Sequence, residues 1–427
     1  MIVVIAASTI FTNGYFWLIF IALAAFFILD TLAGWLNVRA LKPTLPDEFR
    51  DVYDEEEYRR FLDYTATTSR FEWIENTFNF AVLLAFWFCG GYEFLDRHVR
   101  AAHAGPIASG LLFMGALWIA HWLINLPFDI YETFVVEQRF GFNQTTPRTF
   151  AADGMKSLVL AAIFGGALLA IVLALFERGG EWVWLPVWAI TSALLVSFVF
   201  IAPAVILPLF NKFTPLPDGE LKRAILRYGE EHDFPIVGVY VMDGSRRSTK
   251  ANAFFTGFGK TKKVVLFDTL VEKHTTDELL AILAHEVGHF KKRHIVQHIV
   301  VAVLNIGVFL FLASRFIHAP ELFAAFGVRQ MSVYAGLALF MVFYTPLSRL
   351  LSLAREAQCR RHEFQADRFA AETTRHPRAM IEALKKLSKN NLSNLAPHPL
   401  YVTLYHSHPP VLKRIEALSD LPDAHVS

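Results

Sequence analysis

TTDELLAILAHEVGHFKKRH, Thr275–His294, is the stretch on which the reading of this chain turns. Thr275 followed by Glu278 is a capping-box signature that opens a helix. Leu279, Leu280, Ile282 and Leu283 give that helix an apolar side. Within it His285 and His289 stand four apart. At ~100° per residue their rings lie about 40° apart on one face and can reach one ion. Glu286 is turned off that axis and stays free to act as a general base on a water. Lys291, Lys292 and Arg293 follow, as suits a helix C-terminus at a cytosolic membrane surface. An accidental HExxH is expected about 0.03 times in a chain of this composition. The plain alternative is a helix with two surface histidines.

Outward from this stretch the chain reads as membrane protein. Of its 427 residues 54% are hydrophobic, 14% aromatic and 19% charged, and the mean hydropathy is +0.37. A soluble protein carries about a quarter charged residues. The 40 Phe and 9 Trp suit lipid-facing helices and interfacial belts. A net charge of +1 argues against a nucleic-acid partner. Cys89 and Cys359 match no CxxC pattern, so neither a disulfide framework nor a cysteine zinc site is implied. Seven segments approach the ~20 apolar residues that a span needs. They are roughly 14–37, 74–96, 107–127, 157–176, 182–205, 296–317 and 331–352. Polar residues interrupt the second and third, among them Asn76, Asn79, His121 and Asn125. Lys and Arg are denser in the odd-numbered connections, which puts the N-terminus outside and the catalytic segments in the cytosol. No basic residue precedes Arg39, so the first segment reads as a retained span.

The expected fold class is therefore mainly α: a seven-span transmembrane helical bundle with a small α+β domain split in sequence. Residues 1–208 carry spans one to five, and 209–295 the first part of the domain. Residues 296–352 carry spans six and seven, and 353–427 the second part. Within the domain 219–232 has helical character. IVGVYVMD (236–243), NAFFTGFG (252–259) and KVVLFDTL (263–270) read as short strands between turn-rich pieces.

A metal held by two histidines needs a third ligand. CRRHEFQADRFAAE (359–372) offers Glu363 and Asp367, four apart on one helix face. Two spans separate this segment from HEVGH, so the chain returns to the side it left. Glu363 as ligand, with Asp367 accepting from a histidine Nδ1–H, gives an open site. Glu356, Glu372 and His362 are rival ligands. A structural site would instead be closed by a fourth ligand such as His294 or His362.

HEVGH…EFQAD with two spans between resembles the type I CAAX prenyl proteases, integral-membrane HExxH zinc metalloendopeptidases. LPFDIYETFVVEQRFGFNQTTP (126–147), PAVILPLFNKFTPLPDGEL (203–221), NAFFTGFGKTKKVVLFDTL (252–270) and HSHPPVLKRIEAL (406–418) extend the likeness over nearly the whole chain. The resemblance implies one zinc per chain on His285, His289 and Glu363, with Glu286 as base. It implies that Asn252, Ala253 and Phe254 line a cleft where an extended peptide adds to the sheet edge. It implies that His408 and Arg414 approach the zinc and steady the oxyanion and its surroundings. It also implies a hydrated chamber enclosed by the spans. Glu72, Glu75, Asn76, His121, Asn125, Asp129, Glu132 and Glu137, in or beside spans two and three, give the chamber independent support. The partners implied are the lipid bilayer and a peptide or protein substrate, its C-terminal CAAX cysteine carrying an isoprenoid in the family's substrate class.

SDLPDAHVS at the C-terminus carries no retrieval signal, and the short loops suit a bacterial plasma membrane, with the ER membrane as the eukaryotic counterpart. Two other readings stand beside this one. One is a quality-control metalloprotease with non-prenylated substrates. The other is a channel or transporter with a structural zinc, against which the Glu placed directly after the first histidine argues. Catalysis inside the bilayer is disfavoured, because Lys291, Lys292 and Arg293 directly follow the motif.

Overall fold

The computed structural model describes residues 11–257 and 262–421. Phe258 and Gly259, the end of the expected strand NAFFTGFG, lie outside them. Six helices are long and apolar enough to cross a membrane, and a bent pair counted as one span makes seven. The first five spans in chain order are α1 (Gly14–Arg39), the bent pair α2 (Glu55–Phe88) and α3 (Gly91–Ala101), α4 (Pro106–Glu137), α5 (Pro147–Arg178) and α6 (Trp184–Phe210), and His294–Phe316 and Val333–Thr374 follow the domain's first part. Their outward faces stay apolar. No residue of the most apolar window of α6 is buried, at a mean hydropathy of 2.6, as a lipid-facing helix requires.

The second span differs from expectation. The run 74–96 is not one straight helix. It breaks between α2 and α3, whose axes differ by 62°. Gly90 sits at the break with φ 73°, a left-handed conformation that costs a glycine little. A hydropathy pattern sees apolar residues on both sides of such a turn and cannot see the turn.

After α6 the chain leaves the apolar bundle as β1 (Phe213–Pro215), α7 (Glu220–Glu231), β2 (Ile236–Met242), β3 (Ala253–Thr256), β4 (Lys262–Phe267), α8 (Asp268–Lys273) and α9 (Thr276–Lys291). The sheet order is β1-β2-β4-β3, with β2 and β4 parallel and β3 antiparallel to β4 at the edge. The segment KVVLFDTL is strand only as far as Phe267. Asp268 then accepts from the Thr269 and Ser245 backbone N–H groups, which turns the chain into α8. β1 has no alternating pattern to announce it. Val239, Val264 and Leu266 of the sheet and Leu279, Leu283 and Val287 of α9 share one buried core.

The chain then continues through α10 (His294–Phe316), α11 (Pro320–Ala325), α12 (Val333–Thr374), α13 (Pro377–Asn390), α14 (Pro399–Tyr405) and α15 (Val411–Ser419). The 42 residues of α12 run unbroken from the bundle into the domain, through the position where the sequence suggested a boundary at 352/353. Pro346 lies inside it. A membrane helix tolerates such a proline because neighbouring groups re-satisfy the freed backbone. One helix therefore carries both the last span and the EFQAD segment.

Among the helices lies a cavity of about 1530 Å³, lined chiefly by α1, α2, α4, α12 and α14. Glu72, Glu75, Asn76 and His121 line it, four of the eight polar residues that pointed to a chamber. Asn125 binds Asn79, which does line it, and Glu137 pairs with Lys250 and Tyr64 outside it.

Candidate metal centre

α9 begins as its sequence says. Thr275 Oγ1 accepts from the Glu278 N–H, and the Glu278 carboxylate accepts from the Thr275 N–H. The four-residue spacing then puts His285 and His289 on one face, with their Nε2 atoms 3.1 Å apart. Their partner comes from α12. Glu363 Oε2 lies 3.5 Å from His285 Nε2, and Glu363 Oε1 lies 3.3 Å from His289 Nε2. One donor atom from each residue fits within 4.8 Å of the others.

The close approach of α9 and α12 depends on the fourth residue of HEVGH. A Cβ on Gly288 would stand 3.1 Å from Ala366 Cα and 3.2 Å from the Ala366 carbonyl oxygen. A side chain at 288 would press on the α12 backbone, so the absence of one lets the two helices meet closely where their ligands join.

The surroundings of the three donors call for a cation. Glu363 Oε2 is buried with no hydrogen-bond partner. Burial drives the His285 pKa down, yet the hydrogen bond to Asp367 and the neighbouring Glu363 carboxylate outweigh it and, with no metal bound, push the ring up to about 9. Two imidazole nitrogens and a carboxylate oxygen are the donor set of an open zinc-type site. The residues present therefore fit a divalent metal.

Behind the donors the geometry is equally specific. His285 Nδ1 donates to Asp367 Oδ1 at 2.8 Å, which leaves Nε2 with its lone pair aimed at the cluster. Arg414, from α15, donates to both Asp367 oxygens at 2.7 and 2.6 Å. Its third nitrogen lies 3.4 Å from Glu363 Oε2. Arg414 is only 8% exposed, so its charge is matched by these two carboxylates rather than by water. His408 Nε2 lies 3.5 Å from Glu363 Oε1 on the accessible side. Glu286 stands beside the cluster but outside the donor triplet. Burial raises its carboxyl pKa, and the two histidines pull against that.

The rival ligands stay out of the cluster. Glu356 pairs with Arg355, and Glu372 with Arg368. His362 contacts His298 and Gln297. His294 reaches His289, but at Nδ1, on the side away from the donors. Sequence reasoning raises His294 only as a possible closing ligand and passes over Gln365. No local pattern marks either, because their meeting depends on how α10 crosses α12.

The edge strand β3 carries Ala253 and Phe254, with Asn252 just before it, and packs beside α9. Tyr401 and Tyr405 of α14 line the cavity, and the chain that follows them leads directly to His408. Cavity wall and metal cluster are thus joined by one short segment.

A bundle of spans whose long last helix delivers a carboxylate to an HExxH helix defines an integral-membrane metallopeptidase. Residues 35–212 match the family model for the CAAX prenyl protease N-terminal, five membrane helices, and residues 215–421 match peptidase family M48. The chain belongs to peptidase family M48, in its CAAX prenyl protease lineage. It is 33% identical to CAAX prenyl protease 1 homolog of Oryza sativa subsp. japonica over 92% of this chain and 95% of that one. It is 32% identical to CAAX prenyl protease 1 of Saccharomyces cerevisiae over 88% of each chain. The crystal structure of S. mikatae Ste24p superposes with a TM-score of 0.90 at 29% identity, over 96% of this chain and 99% of that one.

Proposed function

We propose that this protein is a zinc metalloendopeptidase that cleaves near the C-terminus of CAAX-type, prenylated peptides. The convergence of three donor atoms around a carboxylate oxygen with no hydrogen-bond partner carries the metal assignment. His285, His289 and Glu363 hold one zinc. When bound, the ion supplies Lewis acidity, polarising the scissile carbonyl and acidifying water.

The protein's own groups do the rest. Glu286 takes the proton of the attacking water and passes it to the leaving amine. Asp367 fixes His285 with its proton on Nδ1. Arg414 holds Asp367 and balances Glu363, and so acts on the chemistry through these carboxylates. His408, on the accessible side of Glu363, donates to the oxyanion that develops on the substrate. The outer edge of β3, which pairs with no other strand among the described residues, takes up the peptide as an added strand along Asn252, Ala253 and Phe254. The names of the relatives support the CAAX substrate class. The apolar part of the cavity wall, which includes Phe26, Phe27, Phe80 and Trp118, supports a lipid-modified one, because an isoprenoid chain partitions from the bilayer onto such a surface. The loop charges favour a cytosolic catalytic unit made of 209–295 and 353–427.

The test is mass spectrometry of the products from two peptides of one sequence, one carrying a farnesylated CAAX cysteine and one unmodified. Faster cleavage of the farnesylated peptide, just after its cysteine, is the expected result. Equal cleavage of both would favour a quality-control protease with unmodified substrates. Cleavage of neither, by protein shown to contain metal, would remove the peptidase reading.

A further inference from the structure

His294 is fully buried, in contact with a histidine of the metal cluster, and unused by the mechanism above. It follows Arg293, whose φ of 57° turns the chain back beneath His289. Its Nδ1 lies 3.0 Å from His289 Nδ1, and its Nε2 lies 2.9 Å from Gln365 Oε1. The His362 ring stacks on it at 3.9 Å with an interplanar angle of 4°.

We propose that Gln365 and His294 form a hydrogen-bond chain that sets the tautomer of His289. This rests on the reading of His289 as a metal ligand. A single proton fits between two Nδ1 atoms in hydrogen-bond contact. If it sat on His294, the neutral His289 would carry its own proton on Nε2. That proton would point at His285 Nε2 and Glu363 Oε1 and block the lone pair a metal needs. If it sits on His289, Nε2 is free. His294 must then accept at Nδ1 and carry its proton on Nε2, where a carbonyl oxygen has to receive it. Gln365 presents that oxygen. The opposite amide orientation would favour the blocked state, so the metal-competent chain is unique: Gln365 Oε1 accepts from His294, and His294 accepts from His289.

The two histidines of HEVGH are therefore prepared differently. His285 has a carboxylate behind it, which can only accept. His289 has a second imidazole behind it, whose acceptor face is selected by a glutamine. His294 and Gln365 are positioning residues, because neither touches the reacting atoms.

The experiment measures zinc affinity of the metal-free full-length protein against a chromophoric chelator, with the cobalt(II) absorption spectrum as a second readout. Gln365 is exposed, so its replacement leaves the core untouched. Gln365→Glu keeps an acceptor and should bind zinc within about threefold of the unaltered protein. Gln365→Lys offers only donors and should lose ~10–100-fold, the usual cost of removing a partner behind a metal ligand. His294→Phe keeps the stack on His362 and should lose a similar factor. Equal affinities for Gln365→Lys and Gln365→Glu would overturn the proposal, and so would an unchanged affinity for Gln365→Met, which removes the acceptor without adding charge. If His294→Phe fails to fold, the Gln365 pair decides alone. An unaltered protein that takes up no zinc would refute the metal reading itself.

Discussion

Gly288 of α9 faces the backbone of Ala366 on α12 so closely that a Cβ would stand 3.1 Å from Ala366 Cα. The contact lies where the helix that carries two histidines meets the helix that carries Glu363. Backbone, unlike a flexible side-chain end, does not move aside. Gly288→Ala should destabilise the fold by ~1–3 kcal/mol, as overpacking does. It should also weaken metal binding, because the ligands of the two helices are spread together. Denaturant midpoints and chelator competition check both effects. Full stability with unchanged affinity would show that the helix spacing is not set here.

Asp367 and Arg414 form a buried pair, and removing one partner strands the other. Arg414→Met should cost roughly 3–5 kcal/mol, since Asp367 and Glu363 lose their counter-charge. Asp367→Asn with Arg414→Met should cost less than the sum of the single changes, a coupling that a double-mutant cycle measures. Simple additivity would mean that Arg414 does not act through Asp367.

Chelation should remove one metal per chain, and His285→Ala, His289→Ala and Glu363→Ala should each reduce occupancy measured by elemental analysis. A Glu363→Ala variant that keeps its full complement would transfer the third ligand to another residue. Glu286→Gln should behave differently. It should retain the metal and lose ~10²–10⁴-fold in cleavage, the range typical of a missing general base. Loss of metal in Glu286→Gln would make Glu286 a ligand.

Glu220 and Asp420 lie in the two sequence-separated parts of the domain. With Cys89 and Cys359 replaced, single cysteines at 220 and 420 should react with a membrane-impermeant reagent from the same side. Labelling from opposite sides would contradict the joining of α9 and α12 around one site.

Features whose cause is local are legible in the amino-acid order alone. The capping box at Thr275, the shared face of His285 and His289 and the apolar lengths of most spans depend on a helix period or on bilayer thickness. These are the same wherever the segment ends up. The second span deceives for the same reason, because Gly90 changes the direction of the chain without changing its hydropathy.

The third donor is a different kind of fact. Glu356, Glu363 and Glu372 all lie on α12, and residue type cannot rank them. Glu363 is the one at the metal cluster because Gly288 lets α9 sit against Ala366, beside which Glu363 projects. The bidentate grip of Arg414 on Asp367 and the contact of His294 with His289 likewise join different helices. The sequence by itself determined the membrane bundle and the helix that carries His285 and His289 on one face, since each follows from periodicity and transfer energy within one segment. The family resemblance names Glu363 and Arg414 in advance, but only the tertiary structure brings them together with His285 and His289 and adds His294, because those contacts rest on packing distances between helices.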